Sequence, residues 1–155
     1  MEVIRSASTD ADYAQARVLF EEYAAGLAVD LCFQGFSQEL DILSQTYGPP
    51  GGALLLAEAE DSLAGCVAVR PIDAAICELK RLYVRSAYRG TGLGRRLANT
   101  ALQAARDLGY QCIRLDTLPQ MQAAQRLYEN LGFRDIPAYY GEPMAGQRFM
   151  EAVLS

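Results

Sequence analysis

The sequence predicts a single α/β domain with a mixed, mostly antiparallel sheet of about six to seven strands, flanked by four helices. The first observation is a series of three apolar runs, residues 53–59, 63–70 and 75–84, whose short polar turns predict an antiparallel meander. The second is a set of longer stretches with apolar residues at helical spacing. The third is a glycine-rich turn that joins the meander to a helix and a further strand, and such a unit is parallel and right-handed.

The chain before the meander predicts one strand and two helices. Residues 2–6 predict the strand, and residues 8–10 supply a polar cap for the first helix. A short second helix begins at about Ser37, and the turn at residues 48–52, rich in Gly and Pro, leads into the sheet. One face of the first helix is apolar and carries Tyr13, Ala16, Phe20, Tyr23 and Leu27.

The chain after the meander predicts the remaining helices and strands. The helix that follows the glycine-rich turn ends at Gly109, where a left-handed cap is favoured. Residues 110–117 predict the next strand, and Pro119 begins a helix that Gly132 caps. Residues 148–154 alternate in polarity and predict the last strand.

Composition narrows the function classes. With 155 residues and a net charge of −5, the chain is long enough for one domain, residues 1–155, and its acidic balance disfavours nucleic acid as a partner. No apolar run has the length of a signal peptide or a membrane span, so we expect a cytoplasmic protein with no membrane partner. The chain has no histidine, so acid–base chemistry must come from carboxylates, tyrosines, lysines or thiols. The cysteines lack metal or disulfide spacing, so we expect small core residues and no metal at Cys32, Cys66, Cys77 and Cys112.

The glycine-rich turn, residues 89–94 (Arg-Gly-Thr-Gly-Leu-Gly), predicts a phosphate site at the start of a helix. Glycines let the backbone approach a ligand closely, and a helix N-terminus adds partial positive charge. The turn lacks the Gly-Lys-Ser/Thr ending of a nucleoside triphosphate loop and the glycine spacing of a dinucleotide loop. That spacing and the preceding meander disfavour a dinucleotide-binding protein with Asp116 as the ribose ligand. A purely structural turn is the other alternative.

The turn matches the pattern Arg/Gln-x-x-Gly-x-Gly/Ala and resembles the pyrophosphate loop of the GNAT superfamily of N-acetyltransferases. The order of the predicted elements extends this resemblance over essentially the whole chain. Residues 127–133 (Leu-Tyr-Glu-Asn-Leu-Gly-Phe) resemble the family's helix that ends with Tyr and Gly-Phe, and Glu78 stands eleven residues before Arg89, as in histone-type members. Met121 departs from the pattern, because many members carry there an Asn that touches the cofactor. The resemblance implies that strands 4 and 5 form a splayed parallel pair.

The resemblance also implies acetyl-CoA as the co-substrate. In the family the pantetheine arm lies between the splayed strands like an extra strand and bonds the backbone of strand 4. The glycine-rich turn holds the pyrophosphate, and the last helix completes the cleft. Cofactor contacts are therefore expected at Leu82, Tyr83, Val84, Arg89, Gly90, Thr91, Gly92, Leu93, Gly94, Arg95, Met121 and Ala124.

Two residues are candidates for acid–base catalysis. Glu78 lies in an apolar strand, and a period of two puts it on the face of Leu82 and Val84, so we expect a general base that acts directly or through water. Its alternatives are an ion pair with Lys80 or a neighbouring-strand cation on a solvated face, and simple charge attraction for the amine. Tyr128, whose hydroxyl has an ordinary pKa of about 10, is the expected general acid. Its alternative is a core tyrosine.

These features predict an enzyme that moves an acetyl group from acetyl-CoA to a primary amine of a small or amino-acid-like acceptor by direct attack. A protein or peptide acceptor and a non-catalytic acyl-CoA-binding regulatory module are the alternatives. Many members of the family pair as homodimers, and the sequence leaves the oligomeric state open. Phe33 and Phe36 either fill the core or belong to a lid over the acceptor pocket. Further residues expected on the acceptor side, with open roles, are Arg70, Arg81, Asp116, Thr117, Tyr139 and Tyr140.

Overall fold

The computed structural model describes residues 2–27 and 35–154, which form one seven-stranded sheet with helices on both faces. In chain order the elements are β1 (Val3–Ser6), α1 (Asp10–Ala25), α2 (Phe36–Asp41), α3 (Leu43–Tyr47), β2 (Ala53–Ala59), β3 (Ser62–Pro71), β4 (Ile76–Val84), a 3₁₀ turn (Ser86–Tyr88), α4 (Leu93–Asp107), β5 (Cys112–Thr117), α5 (Gln122–Asn130), β6 (Arg134–Ile136) and β7 (Arg148–Val153).

The strand order in the sheet is β1-β2-β3-β4-β5-β7-β6. Every neighbouring pair is antiparallel except β4 and β5, which are parallel and are connected through α4. The predicted mixed sheet, with its meander and a parallel pair at strands 4 and 5, is therefore confirmed. Within the described residues there are five α-helices instead of four, because the short helix expected from Ser37 is divided at Ile42 into α2 and α3.

The start of α1 shows how the sequence sets an element boundary. Thr9 accepts a hydrogen bond from the amide of Asp12, and the Asp12 carboxylate accepts from the amide of Thr9, which forms a capping box. The same carboxylate accepts from the amide of Ser8 and pairs with Arg5 of β1 at 2.8 Å. This cap fixes the start of the helix and ties it to the edge of the sheet.

The ends of the later helices also follow the predicted glycines. Gly109 (φ 91°) and Gly132 (φ 96°) take the left-handed conformation directly after α4 and α5. The helix expected from Pro119 begins later, at Gln122, after a turn that includes Met121. The short strand β6 was not predicted, because three residues carry too little periodicity to identify a strand.

Two apolar layers cover the sheet. Helix α4 packs against β2, β3 and β4 on one face, where its leucines and alanines meet Val67, Val69 and Leu79. Helices α1 and α3 pack on the other face, where Leu19, Phe20 and Tyr47 form the core. The candidate site lies between β4 and β5, where both layers meet the opening in the sheet.

Candidate active site

The parallel strands β4 and β5 pair only at their beginnings. The register joins Ile76, Cys77 and Glu78 to residues 112–114, and within the described chain β4 has no strand partner on this side beyond Glu78. On its other side β4 continues to pair with β3 as far as Val84. The sheet therefore opens into a gap after Glu78, and the edge of β4 is free to accept an extended ligand there.

A β-bulge in β4 accompanies the gap. The pairing jumps from Ala68 and Lys80 to Cys66 and Tyr83, so two residues of β4 face one residue of β3. Arg81 takes the left-handed conformation (φ 59°), which is uncommon for a residue other than glycine. The bulge adds one residue to the strand at this point.

The extra residue reverses the alternation of side chains along β4. Leu82 and Val84 pack against the α4 layer together with Cys77 and Leu79, rather than on the face of Glu78. The expectation that Glu78, Leu82 and Val84 share a face was therefore wrong, because a strict period of two holds only for a strand without a bulge.

A cleft of about 450 Å³ follows the far half of β4. Its walls come from the end of α1, the end of β4, the start of α4 and the beginning of α5. Seven residues of the expected cofactor set line it: Leu82, Tyr83, Val84, Arg89, Gly94, Met121 and Ala124. Tyr23, Gln120 and Leu127, which the sequence argument did not select, line it as well.

The glycine-rich turn forms the outer end of this cleft. Gly90 (φ 79°) and Gly92 (φ 85°) both have a left-handed backbone conformation. Gly92 is the N-cap of α4, so the first backbone N–H groups of the helix point out of its N-terminus and have no partner within the helix. Arg89 donates from Nε to the carbonyl oxygen of Val84 at 2.8 Å, and Thr91 donates from Oγ1 to Tyr88 at 2.7 Å. The turn is thus tied to the end of β4 and presents the positive end of a helix dipole.

The remaining residues of the expected cofactor set lie around this turn rather than in the cleft wall. Gly90, Thr91, Gly92 and Arg95 are exposed. The side chain of Leu93 is only 1% exposed and belongs to the core under α4, so only its backbone faces the turn.

A small inner cavity lies in the gap itself and shares Tyr23, Leu82 and Met121 with the cleft. Its volume of about 20 Å³ is enough for one water molecule. Residues from both strands and from α5 complete its wall: Leu79, Lys80, Arg81, Leu115, Asp116, Leu118 and Tyr128. The cleft therefore leads from the glycine-rich turn to a narrow, partly polar end between β4 and β5.

Tyr128 closes this inner end from α5. Its side chain is buried, and its ring lies 5.5 Å from the ring of Phe133. Burial raises the pKa of Tyr128 well above its ordinary value, and Tyr23 and Asp116 raise it further. Tyr128 thus lines the cavity, but its hydroxyl is a weaker acid than that of an exposed tyrosine.

Glu78 is held on the other side of the gap. It is 1% exposed, and its Oε1 accepts from Nε of Arg70 at 2.8 Å while its Oε2 accepts from the hydroxyl of Tyr139 at 2.6 Å. The ion pair with a neighbouring-strand cation is present, but the carboxylate is buried instead of lying on a solvated face. Its side chain lines neither the cleft nor the inner cavity.

The sequence profile of the acetyltransferase (GNAT) family matches residues 18–133. The chain belongs to the GNAT family. It is 40% identical over 141 residues to an uncharacterized N-acetyltransferase of Schizosaccharomyces pombe. The aligned region covers 90% of this chain and 86% of that protein.

Solved structures show the same fold. An acetyltransferase from Streptococcus agalactiae superposes with a TM-score of 0.80 at 23% identity, over 99% of this chain and 98% of that one. A Salmonella typhimurium protein, whose structure contains its cofactor acetyl-CoA, superposes with a TM-score of 0.71 at 22% identity, over 99% of this chain and 94% of that one. The predicted GNAT fold is confirmed.

An aromatic cluster covers Glu78 in this GNAT domain. The rings of Tyr139, Tyr140 and Phe149 lie 5.2–5.4 Å apart, and the guanidinium of Arg114 lies 5.2 Å from the ring of Tyr139. The hydroxyl of Tyr140 is buried and forms no hydrogen bond with the described residues. The loop between β6 and β7 thus brings the hydroxyl of Tyr139 into hydrogen-bond contact with Glu78. The two residues are 61 positions apart in the sequence, so no local pattern could reveal the contact.

Arg81 anchors the bulge on the opposite face from α4. It forms a buried ion pair with Glu39 of α2 at 2.8 Å, and its guanidinium lies 5.8 Å from the ring of Tyr23 and 5.1 Å from that of Phe36. Phe36 therefore packs around Arg81, whereas Phe33 lies outside the described residues. The side chain of Arg81 is committed to holding the strand and helix together.

The described parts of the chain offer neither a metal-ligand cluster nor a membrane-spanning helix. No group of three or more His, Cys, Asp or Glu residues there could hold a metal ion, and no helix there is long and apolar enough to cross a membrane. Cys66 and Cys77 are free thiols, and both are buried. Burial raises the pKa of both thiols, and that of Cys77 is raised to about 12. Cys112 is half-buried. Cys32 lies outside the described residues.

Proposed function

We propose that this GNAT domain transfers an acetyl group from acetyl-CoA to a primary amine of a small or amino-acid-like acceptor by direct attack. The observation that carries the proposal is the cleft that runs from the glycine-rich turn along the free edge of β4 and shares Tyr23, Leu82 and Met121 with the inner cavity beside Tyr128. The acetyl-CoA in the Salmonella structure of the same fold supports this choice of ligand.

Each part of the cleft suits one part of acetyl-CoA. The left-handed glycines and the first amides of α4 suit the pyrophosphate, because they concentrate N–H groups and positive dipole at one point. The free edge at Leu82–Val84 suits the pantetheine amides, which can pair with it as a strand would. The narrow inner end then receives the thioester.

The acceptor reaches the thioester from the side of Glu78. We assign Glu78 as the general base, held in place by Arg70 and Tyr139, and a water molecule would relay the proton because the carboxylate does not line the cavity. The neutral amine attacks the thioester carbon, the carbon–sulfur bond breaks with its electrons on sulfur, and the sulfur takes a proton. We assign Tyr128 to that side of the reaction, as an acid or through its hydrogen bond.

The test is a panel of primary amines with acetyl-CoA, in which free coenzyme A thiol and the mass of the product are measured. The panel includes amino acids, polyamines, arylalkylamines, and peptides with a free N-terminus or a single lysine. We expect thiol release that requires both acetyl-CoA and a small amine, with one acetyl group added to that amine. Turnover confined to peptides would favour the peptide acceptor. A thermal shift with acetyl-CoA but no turnover with any amine would favour the regulatory module.

A further inference from the structure

Lys80 is the only lysine in the chain, and every other basic side chain is an arginine. It is not a surface residue, since only 6% of it is exposed. It lies on β4 between the buried Glu78 and the bulge at Arg81, and it is one of the residues that line the inner cavity, together with Leu82 and Tyr128. The one lysine of the protein therefore lies where the thioester is expected.

The amine of Lys80 differs from the two arginines beside it. Arg70 and Arg81 form ion pairs with Glu78 and Glu39, whereas Lys80 forms neither a hydrogen bond nor an ion pair through its amine with any residue in the ranges that the structure describes. Burying a charge without a bonded partner costs free energy in the folded protein. Its amine is thus available to a group that enters the cavity.

The charged and titratable groups around Lys80 come from several elements. Arg81 and Glu78 lie on its own strand, Arg70 on β3 and Asp116 on β5, while Tyr23 and Tyr128 complete the cavity wall from α1 and α5. Burial lowers the pKa of Lys80. The positive charges of Arg81 and Arg70 lower this pKa further, whereas the negative charges of Glu78 and Asp116 raise it.

These surroundings make the ammonium a better proton donor than the tyrosine at the same cavity. An alkyl thiol has a pKa of about 8.5, and proton transfer is most efficient from an acid whose pKa lies near the working range. The pKa of Tyr128 is moved up, away from that range, and the pKa of Lys80 is moved down, towards it. An ammonium also stabilises negative charge that develops nearby, which a neutral hydroxyl does less well.

We propose that Lys80 is a catalytic residue of this site, whose ammonium protonates the coenzyme A thiolate as it leaves, so that Tyr128 donates a hydrogen bond to the sulfur rather than the proton. The inference rests on the proposed acetyl transfer. As the carbon–nitrogen bond forms and the carbon–sulfur bond breaks, the electron pair on sulfur takes a proton from Nζ, which leaves coenzyme A thiol and neutral Lys80. The proton lost by the acceptor amine leaves through Glu78, and solvent reprotonates Lys80 before the next turnover.

The kinetic test compares Lys80→Met with Lys80→Arg, which keeps the positive charge but cannot give up a proton near neutral pH. We expect kcat to fall about a hundredfold in Lys80→Met, with acetyl-CoA affinity within a few fold of the parent. We expect Lys80→Arg to remain impaired, and both variants to lose the fall in kcat at high pH that the parent shows as Lys80 deprotonates. A folded Lys80→Met enzyme with the parent's kcat and pH profile would overturn the proposal, and so would full activity in Lys80→Arg, which would leave only a role for charge.

A second measurement needs neither activity nor a variant. Protein labelled with ¹³C-lysine gives one ε-methylene signal, because Lys80 is the only lysine. We expect this signal to titrate below free lysine, and coenzyme A to shift the titration to higher pH through its thiolate while desulfo-coenzyme A does not. Identical titrations with both compounds would show that the amine does not meet the sulfur, and the proposal would fail. Failure of the acetyl-transfer function would appear separately, as a parent protein that releases no thiol with any amine.

Discussion

Gly94 is the position where a substitution should separate the stability of the fold from ligand binding. It lies in the first turn of α4 and lines the cleft. A Cβ atom there would lie 3.8 Å from Cγ2 of Val84 and 4.0 Å from Cδ2 of Leu127, which are ordinary contact distances. The backbone is not left-handed at this residue, so a larger side chain adds no strain, unlike at Gly92.

The structure predicts that substitution of Gly94 raises the stability of the fold and weakens ligand binding. Gly94→Ala should stabilise the protein by about 0.5–1 kcal/mol, because glycine in a helix is that much less favourable than alanine. For a domain of this size that is a rise in Tm of about 1–4 °C. Gly94→Val adds two methyl groups that extend beyond the Cβ position into the cleft. If they overlap the ligand as in an overfilled core, binding loses about 1–3 kcal/mol, or roughly 5- to 150-fold in Kd.

The assay pairs thermal melting with calorimetric titration of acetyl-CoA for the parent, Gly94→Ala and Gly94→Val. We expect both variants to melt at or above the parent temperature, and the affinity to fall in the order parent, alanine, valine. A Gly94→Val protein that is folded and binds acetyl-CoA as tightly as the parent would refute the placement of the ligand in this cleft. Weaker binding accompanied by a lower Tm would instead indicate that the first turn of α4 had been disturbed.

Two further predictions concern carboxylates. Glu78→Gln should lower kcat on the order of a hundredfold and leave KM for the amine near the parent value. The control Glu58→Gln, which alters an ion pair with Arg5 at the far edge of the sheet, should leave both constants unchanged. A raised KM with unchanged kcat would show that Glu78 only attracts the amine by its charge. The pKa of Asp12 is held well below its ordinary value by the hydrogen bond from Arg5 and then by the amide of Ser8. The stability that Asp12 contributes is therefore present above about pH 4 and is lost as the pH falls, so Tm of the parent should decline more steeply in acid than Tm of Asp12→Asn, and parallel declines would contradict this.

The elements with strong local patterns were predictable from the sequence. The meander, the glycine caps at Gly109 and Gly132, and the helix after the glycine-rich turn rest on periodicity and on backbone conformations that only a few residues adopt easily. The composition of the cleft was expected from the resemblance to the GNAT superfamily rather than from these local patterns. Seven of the expected cofactor residues line the cleft, and their role in binding stays a prediction.

The contacts around Glu78 and the course of β4 beyond it were not predictable in this way. Nothing local marks Arg81 as the bulged residue, so the alternation along β4 was assigned to the wrong face after it. The bonds from Arg70 and Tyr139 to Glu78 depend on strand pairing and on a distant loop. Lys80 carried one signal that could have been used, because a single lysine within an apolar strand of an otherwise arginine-based protein is unusual.

The bulge links these features into one arrangement. An added residue at Arg81 costs about 1–3 kcal/mol in backbone strain, and the buried ion pair with Glu39 and the rings around the guanidinium hold it in that conformation. Because of the same added residue, Leu82 and Val84 turn towards α4 and line the cleft, while Lys80 stays before the bulge at the inner cavity. A regular strand would give Glu78 and Leu82 a common face and would let β5 follow β4 further. The cleft, the inner cavity and the position of the lysine thus depend on one local distortion of β4.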